Sequence, residues 1–325
     1  MPLRFLFVEF PTQYEELAGF GSATLQLQER FDVTAGVRWA RNRQRFRQIS
    51  GGLESVIGPP TDISSTSAEN VLTYNLSPRW HASDDTMVYA RIASGYRPGG
   101  PNPRALDLPP VTAADKLTNY EIGLKTRFLA GRALLNAAAF RIDWRDIQQA
   151  VIVGGTGSSD NTGNAVSKGL ELETTYLPTD RLRIGVNAAY TDVRLTAPEQ
   201  GIAAVRLGNT PRWGVAVLLD YEWALANRWS AHLGGGWRYV GDQGTAIAAQ
   251  LGADNSYVLP PYAALDLAAD LARGNWMIRL FARNVTDRRA YIGGGLAVDF
   301  DNVPYGIDAN VLQPRTLGIS VDVGF

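Results

Sequence analysis

Cysteine is absent from this chain of 325 residues, and histidine occurs only twice, as His81 and His232. The lack of cysteine excludes disulfides and thiolate metal sites, and the two histidines lie too far apart to form a zinc-type spacing. An excess of one charge is also missing, because 31 basic and 32 acidic residues leave a net charge of −1. This balance argues against a nucleic-acid partner, since such proteins usually carry basic patches.

Long hydrophobic runs are missing as well. No apolar stretch approaches the ~18 residues that indicate a transmembrane helix. The segment Met1–Glu9 has a short apolar stretch and no small-residue cleavage site, so it is not predicted to be a signal peptide. Strands of a membrane barrel stay possible, because only half of their residues are apolar.

What the sequence does contain is strict alternation of apolar and polar residues. In the terminal segment Leu317–Phe325 every odd position is apolar and every even position is small or polar. This period of two predicts a strand with one apolar face. An aromatic residue at the very end of such a strand is typical of bacterial outer-membrane barrels, so Phe325 is predicted to be a barrel-assembly signal.

Short polar turns alternate along the chain with long loops rich in Gly, Pro, Asn and Ser. The turns are Arg30–Asp32, Ser83–Asp85, Ala130–Gly131, Pro178–Asp180, Ala226–Asn227 and Arg273–Asn275. The loops are Ile49–Ser67, Pro98–Asp115, Gly154–Asn164, Thr196–Pro211, Gly241–Ser256 and Arg288–Pro314. Outer-membrane barrels segregate loop length in this way. We therefore predict an all-β, antiparallel transmembrane β-barrel with about thirteen strands, in one domain spanning residues 1–325.

The segment Trp213–Trp223 shows the expected strand design, with aliphatic residues between aromatic ends and with Asp220 and Glu222 on the other face. Aromatic rings favour the headgroup level of a membrane. Two belts about 25 Å apart are predicted. One comprises Trp39, Tyr120, Trp144, Tyr190, Trp213 and Trp237. The other comprises Phe31, Trp80, Phe128, Tyr176, Trp223 and Trp229.

Charged residues are expected to face each other across the turns, since facing positions of an antiparallel hairpin sum to a constant. The predicted facing pairs are Asp266–Arg283, Asp270–Arg279, Asp220–His232 and Glu121–Arg141, with Trp223 opposite Trp229. Leu265, Leu267, Ile278 and Leu280 are expected on the opposite face. Paired charges of this kind stabilise a sheet and would line a lumen. The alternative is an ordinary solvated face of a soluble sheet.

Several segments resemble TonB-dependent outer-membrane receptors, in the order and at the spacing of that family. They are Val88–Asn102, Asn119–Lys125, Asn136–Gln148, Ser167–Glu173, Phe281–Asp287 and Pro314–Ser320. The resemblance implies location in the bacterial outer membrane and uptake of a ferric siderophore or another scarce, bulky nutrient. It also implies that the TonB–ExbB–ExbD complex supplies energy and that the barrel-assembly machinery and outer-membrane lipids are partners.

The chain departs from this family in its extent. The resemblance implies a barrel of twenty-two strands closed by an N-terminal plug domain. This sequence, in contrast, offers about thirteen strands and no plug-like start. An incomplete sheet would leave unpaired backbone groups in lipid. We therefore interpret the chain as the C-terminal part of a receptor barrel, lacking the plug that contacts TonB.

Substrate contacts in this family come from extracellular loops, the upper lumen and the plug. The resemblance therefore indicates Arg97, Asn102, Arg104 and Tyr291 as candidate substrate-binding residues. No metal site and no cofactor are predicted. Two alternatives stay open: a barrel enzyme with Asp220, Ser230 and His232 as a hydrolase triad, and a passive porin with a charged lumen.

Overall fold

The computed structural model describes residues 6–52, 60–102, 109–153, 156–161, 163–196, 207–244, 258–298 and 304–324. Almost all of this is β-strand. The strands are β1 Leu6–Glu9, β2 Thr12–Gln28, β3 Phe31–Gly52, β4 Thr61–Ser83, β5 Thr86–Arg97, β6 Gly100–Pro101, β7 Val111–Thr112, β8 Asp115–Phe128, β9 Ala133–Arg145, β10 Gln148–Val153, β11 Thr156–Asn161, β12 Ala165–Thr179, β13 Leu182–Leu195, β14 Trp213–Ala224, β15 Ser230–Val240, β16 Gln243–Gly244, β17 Val258–Leu259, β18 Tyr262–Arg273, β19 Trp276–Arg283, β20 Tyr291–Val298, β21 Pro304–Val311 and β22 Thr316–Val323. A single turn of 3-10 helix spans Ala226–Arg228.

One antiparallel sheet contains fourteen of these strands, in the order β1-β3-β4-β5-β8-β9-β12-β13-β14-β15-β18-β19-β22, with β2 also paired to β3. β1 and β2 pair with consecutive parts of the same edge of β3 and are separated by Pro11. They therefore act as one strand with a break. The sheet then has thirteen strand positions, as the sequence predicts. The prediction of an all-β, antiparallel fold is confirmed.

Loop length divides the sheet into two ends. At the short-turn end, residues in left-handed conformation close the hairpins, among them Gly131 (φ 80°), Asn227 (φ 58°) and Gly274 (φ 56°). At the long-loop end, the connections carry four separate two-stranded hairpins: β6–β7, β10–β11, β16–β17 and β20–β21. This arrangement places every candidate binding loop at the same end of the sheet.

The two faces of the sheet differ in chemistry because paired Cα positions project to the same side. One face, here called the polar face, carries Asp32, Glu121, Glu171, Asp220 and Asp270 along the register. The other face, here called the apolar face, carries exposed aliphatic residues such as Leu72, Ile122, Leu170, Leu233 and Leu280. The alternation seen in the sequence is therefore continuous across the whole sheet.

The predicted belt residues that lie within strands are on the apolar face, with one exception. Trp229 lies between the 3-10 turn and β15, where the register assigns it to neither face. Trp213 is the register partner of Tyr190, and their ring centroids lie 4.9 Å apart. At the short-turn end, Phe31 faces Trp80. Trp144, however, faces Leu117 and lies on the polar face. The prediction for Trp144 was wrong because the even positions of β9 project to the polar face, where this side chain packs against the buried residues beneath the β9–β12 loop. The 25 Å separation of the belts stays a prediction.

The register confirms part of the predicted charge pairing. Asp270 faces Arg279 directly, whereas Leu267, Ile278 and Leu280 take the positions of the opposite face. Leu265 also lies on that opposite face, because it faces Trp237. The prediction that the aliphatic residues and the charges lie on different faces is confirmed.

The ladder between β18 and β19 begins at Leu267 and Ala282, so the predicted facing of Asp266 and Arg283 lies one position beyond it and stays a prediction. Asp266 forms an ion pair with Arg238. Other predicted pairs were wrong in detail. His232 faces Glu222, two residues from the predicted partner, because the 3-10 turn lengthens the connection. For the same reason Trp223 faces Ala231, not Trp229.

The hairpin before β9 also shifts the register. Glu121 faces Phe140 instead of Arg141. The shift is one residue, so Arg141 projects to the opposite face. The turn of Leu129, Ala130 and Gly131, all at positive φ, sets this register.

Candidate functional site

A network of hydrogen bonds joins two long loops at the long-loop end. Arg97, the last residue of β5, donates from its backbone N–H to Oδ1 of Asp115 at 3.2 Å. Its guanidinium Nη2 donates to Oδ2 of the same carboxylate and to the carbonyl oxygen of Gln148 at 2.7 Å. The Asp115 side chain is 4% exposed and that of Arg97 is 53% exposed. Arg97 is therefore fixed by a buried acid and still presents part of its cationic group.

Asn102 connects the same two loops. Its side-chain Nδ2 donates to the carbonyl oxygens of Pro109 at 3.0 Å and Ser159 at 2.6 Å. Its Oδ1 accepts from the backbone N–H of Ser159 at 3.2 Å. Asn102 is 5% exposed. Both of its side-chain N–H groups already donate to backbone carbonyls that hold the loops together.

The other predicted residues lie elsewhere. Tyr291 begins β20 on a different hairpin, is 50% exposed and faces Val311. The hairpin is held to β16 by Gln243, whose Nε2 donates to the carbonyl oxygen of Ile292 at 3.2 Å. Arg104 and Phe325 fall outside the described residues. The structure therefore joins Arg97 and Asn102 in one network and puts Tyr291 on a separate hairpin.

An apolar cluster lies beneath these loops on the polar face. Ile147, Ala165, Val193 and Leu195 are buried there, and Trp144 and Leu207 pack against them. Ile147 is 2% exposed, and its backbone N–H donates to the carbonyl oxygen of Gly163 at 2.8 Å. The cluster holds the β9–β12 loop against the wall of the sheet.

A trough of about 700 Å³ runs along the polar face between the loops and the turns. Its charged and polar lining includes Lys125, Glu171, Glu173, Asn187 and Arg238. Tyr89 also lines it and donates from its hydroxyl to Oε1 of Glu121 at 2.7 Å. Charges of both signs thus lie along one open depression on the polar face.

The residues of the suggested hydrolase triad form an ion-pair cluster near the short-turn end. Nε2 of His232 lies 3.1 Å from Oδ1 of Asp220, and its Nδ1 lies 3.2 Å from Oδ2 of Asp270. Each ring nitrogen therefore lies within hydrogen-bonding distance of a carboxylate oxygen, and neither nitrogen is aimed at the Ser230 hydroxyl. A triad requires the base to contact its nucleophile, and the geometry favours a structural role.

Sequence reasoning missed Asp115, Gln148 and Asn161, which organise the loop network. Asn161 binds both backbone groups of Ala113, with its Oδ1 accepting at 2.8 Å and its Nδ2 donating at 3.0 Å. These contacts join residues far apart in sequence and leave no local pattern. The trough residues Glu171 and Glu173 did have a signal, namely charged residues alternating with leucines in β12.

No helix in the described part of the chain is long and apolar enough to cross a membrane. Across the described ranges, no group of three or more His, Asp or Glu side chains is arranged to hold a metal ion.

The sheet, its alternating faces and its segregated loops define the wall of an outer-membrane-type β-barrel. The profile of the family described as TonB dependent receptor-like, beta-barrel matches residues 8–285. The chain therefore belongs to the TonB-dependent receptor β-barrel family.

Among curated proteins, the chain is 30% identical over 327 aligned positions to the pesticin receptor of Yersinia enterocolitica, covering 97% of this chain and 44% of that receptor. It is 25% identical to the metal-pseudopaline receptor of Pseudomonas aeruginosa, covering 82% of this chain and 36% of that receptor. The chain thus spans less than half the length of these relatives.

Among solved structures, the ferric yersiniabactin uptake receptor of Yersinia pestis superposes with a TM-score of 0.83 at 23% identity, covering 99% of this chain and 47% of that one. The ferric-catecholate import receptor of Escherichia coli in its closed form gives a TM-score of 0.75 at 17% identity, covering 97% and 45%. At these identities the likeness shows the fold, which confirms the predicted barrel.

Proposed function

We propose that this chain forms the C-terminal part of the barrel of an outer-membrane receptor that imports a ferric siderophore or a similar metal chelate. The observation that carries the proposal is the match to receptors over nearly the whole chain, combined with coverage of less than half of each receptor. The relatives are named as receptors for pesticin and for a metal-pseudopaline complex. In the proposal, residues 1–325 form one domain, which is completed by further strands and a plug.

The edges of the sheet support an incomplete barrel. Among the described residues, β2 pairs only with β3, and β22 pairs only with β19. An unpaired edge in hydrocarbon costs several kcal/mol for each exposed backbone group. Both edges therefore need partner strands in the membrane. In the proposal these come from the rest of a receptor barrel, which barrel-assembly machinery inserts after recognising the terminal strand and Phe325.

The loop network and the trough support a path for an anionic ligand. Arg97 is fixed by Asp115 and keeps about half of its side chain exposed, so it is preorganised to form charge-assisted hydrogen bonds with a chelate oxygen. Tyr291, half exposed at the start of β20, adds an aromatic face, and Arg104 a further charge. In the proposal Asn102 acts indirectly, by holding the loops in place.

Energy in the proposal comes from the inner-membrane TonB complex through the plug. The polar face offers the plug a wall with charges of both signs, including the pair of Arg79 with Asp32 at 2.6 Å. A chain that lacks the plug would bind ligand without moving it. This is the property that an experiment can isolate.

The test is growth of an iron-starved, receptor-deleted strain that exports this chain with a borrowed signal peptide. We expect no rescue from the chain alone, and recovery of ferric-chelate uptake when a polypeptide carrying the plug and the remaining strands is co-expressed. Recovery should disappear in a strain without TonB, which is the control for passive leakage.

Rescue by the chain alone, dependent on TonB, would contradict the proposed incompleteness. Rescue by the chain alone without TonB would favour a porin. To separate misassembly from lack of function, surface labelling of an introduced cysteine should first show that the chain reaches the outer membrane. This control is simple because the chain has no other cysteine.

A further inference from the structure

A second group of cationic side chains lies on the polar face, near the short turns. A depression of about 380 Å³, here called the lower pocket, opens there with Arg91 of β5 and Lys125 of β8 in its wall. Both of these side chains are exposed. The lower pocket adjoins the trough, because Tyr89 and Lys125 line both. It is therefore open to any ligand that enters the trough.

Arg91 has an acidic residue opposite but does not pair with it. Arg91 faces Glu121 across β5 and β8. The two carboxylate oxygens of Glu121 accept instead from the Tyr89 hydroxyl at 2.7 Å and from Nδ2 of Asn119 at 3.2 Å. Arg91 donates from Nε to Oδ1 of Asn75 at 3.1 Å, and within the described ranges its two Nη groups make no hydrogen bond. The guanidinium is thus oriented by a neutral group and keeps donors for a ligand.

Lys125 also lacks an acidic partner in the described part of the chain. It faces Met87 on β5 and Asn136 on β9, and neither of these residues is charged. Its Nζ lies 6.0 Å from the centroid of the Tyr89 ring. The ammonium group of Lys125 therefore stays available on the same side of the sheet as Arg91.

The lower pocket carries more positive than negative charge. Arg79 is a third cation in its wall, and the buried carboxylate of Asp32 pairs with it at 2.6 Å. Glu121 then offsets only one of the two remaining cations, Arg91 and Lys125. Cationic donors around an open space bind oxyanions through charge-assisted hydrogen bonds. The chemistry of the wall therefore fits an anion with several charged groups.

The lower pocket is connected to the loop network by β5. Arg91 and Arg97 lie on the same face of this strand, and the positions between them on that face are Ala93 and Gly95. No large side chain of β5 therefore separates the two guanidinium groups. At about 3.3 Å per residue, their Cα atoms are about 20 Å apart along the strand. An anion that leaves Arg97 can follow β5 to Arg91.

We propose that Arg91 and Lys125 form a second anion-binding site, which takes the carboxylate groups of a chelate after the chelate leaves Arg97. The inference rests on the proposed import function and adds a second position to the same path. Arg91 donates its Nη groups to one carboxylate, and Lys125 binds another as a compact point charge. Asn75 is a positioning residue, because its Oδ1 fixes the Arg91 guanidinium.

The experiment uses lysine acetylation as a footprint, because the chain has only three lysines, Lys116, Lys125 and Lys168. Lys116 and Lys168 lie on the apolar face, where they face Arg145 and Arg141, so they are internal controls in every sample. The full 325-residue chain in a nonionic detergent is treated with an uncharged acetylating ester, with citrate as the probe and the ionic strength held constant. Peptide mass spectrometry gives the acetylation rate of each lysine.

We expect citrate at ten times its Kd to slow the acetylation of Lys125 about tenfold by mass action, and to leave Lys116 and Lys168 unchanged. Arg91→Gln should raise the citrate concentration for half protection about five- to tenfold, because charge-assisted hydrogen bonds are lost. Arg183→Gln is the matched control, since Arg183 is exposed on the polar face of β13 and faces Asp220. This control should protect like the wild type, and circular dichroism checks that both variants keep their sheet.

Equal slowing of all three lysines would show a general effect of salt and overturn the proposal. An unchanged half-protection concentration in Arg91→Gln would overturn it as well. Triethyl citrate has the same skeleton without charge and should not protect Lys125. Inorganic phosphate separates the two sources of an oxyanion: weaker protection than by citrate supports a chelate as the occupant, whereas stronger protection overturns that assignment.

This test and the test of import fail separately. The footprint requires no plug, no TonB and no uptake, so a chain that never restores growth can still show protection of Lys125. Restored uptake without protection of Lys125 would keep the proposed function and remove the second site.

Discussion

Asp270 and Arg279 face each other directly across β18 and β19, and the guanidinium donates two hydrogen bonds to the carboxylate, at 2.7 and 2.9 Å. The Asp270 side chain is 10% exposed and that of Arg279 is 47% exposed. The same carboxylate also lies 3.2 Å from Nδ1 of His232. The buried Asp270 carboxylate thus contacts both Arg279 and His232 near the short-turn end.

Replacement Asp270→Asn should destabilise the sheet by about 1–2 kcal/mol. This loss of unfolding free energy lies between the values typical of exposed and of buried ion pairs, because Arg279 is half exposed and its charge is screened by solvent. Urea unfolding in detergent micelles measures it. Asp180→Asn is the matched control, because Asp180 pairs with Arg132 at 2.8 Å with a side chain 90% exposed. A larger loss for Asp180→Asn than for Asp270→Asn would contradict this assignment.

Gly169 on β12 is expected to tolerate no side chain. A Cβ there would lie 2.3 Å from the backbone oxygen of Tyr190 and 2.5 Å from the Phe140 ring. Because a backbone atom must move, Gly169→Ala should cost about 1–3 kcal/mol. Gly214→Ala is the control, since no atom lies within 4 Å of its Cβ position. Thermal unfolding of the two variants should differ, and equal stabilities would show that β12 and β13 separate easily.

The two faces of β12 are expected to meet different solvents. Leu170 lies on the apolar face and is 58% exposed, whereas Glu171 lines the trough. The variants Leu170→Cys and Glu171→Cys each carry a single cysteine, because the unsubstituted chain has none. In lipid vesicles, a charged maleimide should label Glu171→Cys at least about tenfold faster, because lipid excludes the reagent from the apolar face. Faster labelling of Leu170→Cys would argue against insertion in a bilayer.

The architecture was predictable because each strand carries its own alternation and each hairpin its own turn residues. The thirteen strand positions, the segregation of loops and the pairing of Asp270 with Arg279 all follow from local patterns. The errors arose where turn geometry sets the register. The 3-10 turn at Asn227 moves His232 by two residues, and the turn at Gly131 moves Glu121 by one.

The candidate site was only partly predictable. Loop position indicated Arg97, but nothing local indicates that Asp115, 18 residues away, fixes its guanidinium. Asn102 was chosen as a polar loop residue, and its burial follows from contacts with a second loop, at Ser159. Trp144 was assigned to a belt because its neighbours alternate correctly. Its face follows from the register between β8 and β9, which the turn at Gly131 sets and local alternation does not reveal.

Arg97 should depend on Asp115 for its orientation. In Asp115→Asn the carboxylate that binds both the backbone N–H and the guanidinium is lost, while the residue shape is kept. We expect a binding loss for an anionic ferric chelate that is about as large as the loss in Arg97→Gln, and less than additive losses in the double variant. Tryptophan fluorescence titration of the assembled receptor measures each value. Fully additive losses would show that the two residues act separately.

Asp287, in the loop between β19 and β20, provides a pH-dependent contact outside the strands. Its Oδ1 accepts a hydrogen bond from the backbone N–H of Arg315 at 2.9 Å. This bond, with help from the nearby Arg289 and Arg315 guanidinium groups, holds the pKa of the Asp287 carboxyl below its ordinary value of 3.8. Because the folded pKa is lowered, the contact is fully present above 3.8 and is lost as the pH falls through the folded pKa. The Arg315 amide proton in an NMR titration should therefore shift with a midpoint below 3.8, and Asp287→Asn should remove that transition. A midpoint at or above the ordinary value would show that the carboxylate does not hold this junction between the last loop and β22.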